Sequence, residues 1–101
     1  MKIIPDKAEV ALDFPDKAYV GTFGRDSHFA AKADANGVAI KLERRDDQTR
    51  VVDMHLHHGV FADILNEVAK SLAHQPAIDD IHRKALLAAA RHLVAALGDK
   101  R

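Results

Sequence analysis

At 101 residues, with 48% hydrophobic and 30% charged side chains, the chain has the make-up of one soluble globular domain, 1–101, able to bury a core. Fifteen basic and fifteen acidic side chains cancel, nine of each up to Arg50 and six of each beyond, so the basic excess usual in a nucleic-acid binder is missing. Cysteine is absent, which excludes disulfides, thiolate catalysis and cysteine-held metals. No apolar run reaches the roughly eighteen residues of a membrane span. The opening Met1-Lys2-Ile3-Ile4-Pro5-Asp6 carries no signal-peptide core, so a cytoplasmic address is expected, with no membrane partner.

Turn signals recur about every ten residues through the first part of the chain. Pro5-Asp6-Lys7-Ala8-Glu9-Val10 is echoed by Pro15-Asp16-Lys17-Ala18-Tyr19-Val20, each Pro-Asp opening a turn and each Ala-x-Val entering a strand. Two copies are too few for a repeat protein. Strands are predicted at 8–14, 18–24, 27–34, 37–44 and 50–57. The breaks are Pro15-Asp16, Gly24-Arg25-Asp26, Ala35-Asn36-Gly37 and Arg45-Asp46-Asp47-Gln48. Asn36-Gly37 is the strongest hairpin signal and suits a type I′ turn.

Such short connections predict sequential antiparallel pairing, a meander. Val10, Leu12, Val20, Phe29, Ala31, Val38, Ile40, Leu42, Val52, Met54 and Leu56 would face inward. Glu9, Asp13, Lys32, Lys41, Glu43, Asp53 and His55 would face out, leaving one side of the sheet open.

Gly59 ends the β part. Phe61, Ile64, Leu65, Val68 and Leu72 then recur at helical spacing, with Asp63, Asn66, Glu67 and Lys70 opposite. His74-Gln75-Pro76 breaks this helix. A second is predicted over about 77–97, with Pro76 in its first turn, Asp79 and Asp80 near its N-terminal dipole, and Gly98 at its end. Its apolar belt (Ile78, Ile81, Ala85, Leu86, Leu87, Ala89, Leu93, Val94, Leu97) is wider than one contact face needs. Leu87 and Val94 lie off the main stripe, and the alanines permit close approach, so a homodimer through this helix is expected. The fold class is α+β in two layers. An antiparallel meander of four to five strands, about 1–58, precedes two helices, about 59–98, packed on one face.

Chemistry concentrates in Asp53-Met54-His55-Leu56-His57-His58, where polar and apolar residues alternate. Asp53, His55 and His57 fall on one strand face, neighbours roughly 6.5–7 Å apart. That spacing suits a metal such as zinc with carboxylate as third ligand, or a pH-responsive surface. His28 is a fourth candidate ligand if the strands pair suitably, and His58 stands at the strand-to-helix corner. His74, His82 and His92 have sufficient structural roles on helices. Protonating all seven histidines would take the chain from neutral to about +7. Asp46-Asp47 among Arg44, Arg45 and Arg50 reads as a charged hairpin tip. No Gly-rich phosphate loop, G-x-S-x-G or H-E-x-x-H occurs, and Ser27 beside His28 points to the opposite strand face.

The expected working surface is therefore the open sheet face, Asp53, His55 and His57 with Lys41 and Glu43. The expected role is non-enzymatic binding of a protein partner without a cofactor, with zinc on Asp53, His55 and His57 as the alternative. In element order, residues 8–75 are similar in outline to the Pur-repeat, Whirly and coactivator-type single-strand binders. That resemblance implies bases stacking on the sheet, here over Tyr19 and Phe23, with charge from Arg25, Lys32, Lys41 and Arg44. The balanced charge argues against a nucleic-acid partner.

Overall fold

A computed structural model of the chain describes residues 1–74 and 77–98. Its internal contacts divide the chain into two units, Met1–Leu65 and Asn66–Arg101. The class is α+β: antiparallel strands followed by two C-terminal helices. The first unit holds β1 (Lys2–Ile3), β2 (Ala8–Phe14), β3 (Lys17–Phe23), β4 (Ser27–Ala33), β5 (Gly37–Arg44), β6 (Arg50–His57) and the start of α1 (His58–His74). The second holds the rest of α1 and α2 (Asp80–Gly98).

The meander is β4-β5-β6, extended by β1 to a four-stranded sheet in the order β1-β4-β5-β6. The hairpin β2-β3 forms a sheet of its own. Sequential pairing therefore stops between β3 and β4, and the reason is competition for one edge. Lys2 and Ile3 pair with Phe29 and His28, and the Ile4 N–H donates to the Ser27 carbonyl at 3.1 Å. The Gly24-Arg25-Asp26 turn closes with the Ser27 N–H on the Gly24 carbonyl at 2.9 Å. The β4 edge that β3 would have used is taken by the chain's first strand.

Register divides the four-stranded sheet into two faces. Phe29, Ala31 and Ala33 stand beside Leu42, Ile40 and Val38, which stand beside Val52, Met54 and Leu56. This apolar face is the one the alternation predicts. In β2-β3 the turn joins Phe14 to Lys17, so even positions of β2 meet odd positions of β3. Val20 thus lies opposite Ala11 rather than on the Val10–Leu12 face, and it is 83% exposed. The expectation that Val20 faces inward is corrected, and Phe23, only 1% exposed, is the inward residue. Phe23 and Ile4 are the buried hydrophobic residues among those described, and Ser27, whose carbonyl accepts the Ile4 N–H, is buried at the head of β4.

The Asn36-Gly37 turn is not type I′, because no described residue has positive φ. Asp34 replaces that geometry: its Oδ1 accepts the Asn36 N–H at 2.8 Å and the Gly37 N–H at 2.9 Å, and its own N–H donates to the Gly37 carbonyl at 2.9 Å. Such an Asx turn holds the chain reversal without left-handed backbone.

α2 begins at Asp80 rather than near residue 77, because Asp79 caps it: its Oδ1 accepts the His82 N–H at 2.9 Å. Pro76, expected in the first turn, lies outside the described residues. Neither helix contains a buried residue among those described. Ile64, Leu65, Val68 and Leu72 of α1 are exposed, as are Leu86, Leu87, Val94, Leu97 and above all Ile81, 80% exposed, of α2.

Candidate functional site

The second sheet face carries the polar side chains. Across β4, β5 and β6 its rows read His28–Glu43–Val51, Ala30–Lys41–Asp53 and Lys32–Ala39–His55, ending on Gly37–His57. All five expected surface residues, Lys41, Glu43, Asp53, His55 and His57, are therefore on one face, with Lys41 and Asp53 directly opposite each other.

The histidine end is built by the β4-β5 turn. The His55 and His57 rings meet edge to face, with centroids 5.1 Å apart and planes at 65°. His55 Nε2 lies 3.3 Å from Asp34 Oδ2. His58, the first residue of α1, is tied to the same turn: its N–H donates to the Asn36 carbonyl at 3.2 Å, and its ring Nε2 lies 3.0 Å from the Asp34 carbonyl oxygen. The backbone N–H groups of Asn36 and Gly37, then the charge of His55, hold the Asp34 carboxyl below its ordinary value of 3.8.

The carboxylate paired with His55 is thus that of Asp34. Asp53 sits one row further along, where Met1, Ala30, Ala31, Lys32, Ala39 and Lys41 line with it a shallow depression of about 510 Å³. Asp34 stands two residues before Asn36 in Asp34-Ala35-Asn36-Gly37, the position from which a carboxylate accepts turn N–H groups. That signal was legible, but its pairing with His55 needed the β5-β6 register. Among the described residues no three His, Cys, Asp or Glu side chains stand where they could hold a metal ion.

At the other end of the face Glu43 is only 8% exposed, and Arg45 closes onto its Oε1. The Arg45 hydrogen bond holds the Glu43 carboxyl below its ordinary 4.5, against the opposing effect of burial. Met1, His28, Glu43 and Arg45 line a second depression of about 260 Å³. The Asp46 tip forms the expected charged hairpin end: its Oδ2 lies 3.1 Å from Arg50 and 3.2 Å from Arg44, whose Nε is also 3.3 Å from Asp26.

Comparison with family models, curated proteins and solved structures finds no match for this chain. No helix among the described residues is long and apolar enough to cross a membrane.

The residues offered for base stacking lie on two sheets, with the Arg44 Nη1 donating to the Thr22 carbonyl of β3 at 3.4 Å. Tyr19 and Phe23 belong to the β2-β3 sheet, while Lys32 and Lys41 lie on the polar face of the other sheet. Phe23 is buried, and the Tyr19 hydroxyl lies over Gly21. Arg44 is engaged with Asp26 and Asp46, and Arg25 Nε donates to the Pro5 carbonyl at 3.3 Å.

Proposed function

We propose that the chain is a non-enzymatic interaction protein that works as a self-associated assembly and meets a protein partner through the polar face of its sheet. One observation carries this reading: Lys41, Glu43, Asp53, His55 and His57 share a face, while the opposite sheet face and both helices carry unburied apolar side chains. Burying apolar surface is the main driving force of association, and exposed apolar patches on this scale mark interaction sites. α2 suits self-contact: Leu87, Ala90, Arg91, Val94, Ala95 and Gly98 line a depression of about 510 Å³ along it. The polar face offers charges of both signs beside two imidazoles, which favours recognition and steering over catalysis.

The test compares wild type with a Lys41→Ala, His57→Ala variant of unchanged circular dichroism and sedimentation. A protein partner retained by the wild type and released by the variant is expected. Partners bound equally by both proteins would overturn the reading.

The closeness of the His55 and His57 rings supports a second reading, a transition metal on those two imidazoles with a further ligand from elsewhere. Titrating metal-stripped protein with Zn²⁺, while following the histidine ring signals by NMR, separates the two. Saturable shifts confined to His55 and His57 would favour the metal.

A further inference from the structure

β6 closes one side of the four-stranded sheet, and among the described residues its outer edge takes no backbone hydrogen bond. Proteins normally guard such an edge with lysine, proline or a bulge. Residues 50–57 contain no lysine or proline, and β6 pairs with β5 without interruption from Arg50 to His57. We infer that β6 pairs antiparallel with β6 of a second copy about a two-fold axis through Met54, joining two four-stranded sheets into one of eight.

The side chains choose both occupant and register. In an antiparallel ladder, directly opposed residues share a face, so a one-residue slip would set apolar against polar positions. Apolar Val52, Met54 and Leu56 must therefore meet one another. A two-fold axis also makes every pairing reciprocal. With Met54 on the axis, Val52 meets Leu56 of the second copy, and Asp53 meets His55 of the second copy twice over. Val51 meets His57, and every residue from 51 to 57 is paired.

The competing registers are poorer. An axis through Asp53 opposes two carboxylates and sets Arg50 against Leu56. An axis through His55 opposes two imidazoles and pairs only residues 53–57. An axis through Val52 pairs only 50–54. An imidazole can hydrogen-bond a carboxylate across strands, whereas two carboxylates directly opposed repel, so the Met54 register is the complementary one. Met54 is 43% exposed. This contact lies beyond the helix surface invoked above and extends the polar face across both copies.

Because the chain has no cysteine, single cysteines report the axis directly. Directly opposed residues lie roughly 4.5–5.5 Å apart at Cα, within disulfide reach. A position one residue off the axis meets its own copy at roughly 8.4 Å, and two residues off at roughly 14.5 Å, both beyond reach. Asp53→Cys, Met54→Cys and His55→Cys proteins, checked by circular dichroism, are air-oxidised and run on a non-reducing gel. Covalent dimer is expected at Met54→Cys, about tenfold over either neighbour. Should Met54→Cys fail to fold, an equimolar mixture of Val52→Cys and Leu56→Cys chains should give the mixed disulfide, and neither alone its own.

A maximum at 53 or 55 would overturn the register. No cross-link in a protein that still sediments above its 11.1 kDa chain mass would overturn β6 pairing and leave the assembly reading intact. A protein that sediments as a single chain would overturn both.

Discussion

Replacing Gly37 by alanine puts a methyl group where the neighbouring strand's backbone already stands. A Cβ at Gly37 would lie 2.2 Å from the Leu56 carbonyl oxygen, 2.8 Å from His57 Cα and 2.9 Å from the Leu56 carbonyl carbon. Cβ contacts under 3.0 Å are essentially never seen, so at least 0.8 Å of displacement is required, and all three obstacles are backbone. The glycine is needed for space, since its φ is not in the left-handed region. Forcing extra volume into a filled site costs typically about 1–3 kcal/mol. Taking about 2 kcal/mol, and about 4–8 °C of melting temperature per kcal/mol in a domain of this size, Gly37→Ala should melt about 8–16 °C below wild type.

Gly59 is the control. A Cβ there meets nothing within 4 Å, and the residue lies in α1. Alanine relieves the entropic cost of a helical glycine, so Gly59→Ala should gain about 0.5–1 kcal/mol. Thermal unfolding followed by circular dichroism at one fixed chain concentration measures both, because association moves the midpoint. Gly37→Ala should also separate the His55 and His57 rings, since Gly37 is paired with His57 and donates its N–H to Asp34. A Gly37→Ala midpoint within about 2 °C of wild type, against the 8–16 °C expected, would refute the close β5-β6 approach on which the site's geometry rests.

Phe23→Ala empties a fully covered aromatic site and should cost about 3–5 kcal/mol, read as a lower urea midpoint. The carboxyls of Asp34, Glu43, Asp46, Asp79 and Asp80 are all lowered by backbone or side-chain hydrogen bonds in the fold. The unfolded chain therefore binds more protons near their ordinary values of 3.8 and 4.5. The stability they contribute is complete above those values and is lost as pH falls through the lowered ones. Urea midpoints should hold steady from pH 7 to about 5 as far as these groups are concerned, then drop below about pH 4.5. Asp34→Ala should flatten part of that drop and speed amide exchange at Asn36 and Gly37, whose N–H groups lose their acceptor. Unchanged exchange at both amides would show that the turn stands without Asp34.

The positions of β2 to β6, the apolar and polar faces of β4, β5 and β6, and the two helices were legible in the chain, while the two-residue β1 was not. Each rests on a local signal: alternation every two residues, a turn residue, or helical spacing. Lys41 and Glu43, like Asp53, His55 and His57, are alternate positions that share a side of their own strand, and the β5-β6 register joins the two sets on one face. Pairing partners are a different matter. β1 takes the edge of β4 that β3 would have used, through contacts between residues some 25 positions apart that no local pattern encodes. Val20 turned outward because the Phe14–Lys17 turn set an odd parity for β2-β3. Asp34 rather than Asp53 reached His55, since the β5-β6 register brings the β4-β5 turn to the end of β6. The chain alone thus determined which residues alternate along each strand. Only the tertiary structure decided which edge, turn or charge stands beside them, because those are matters of distance in space.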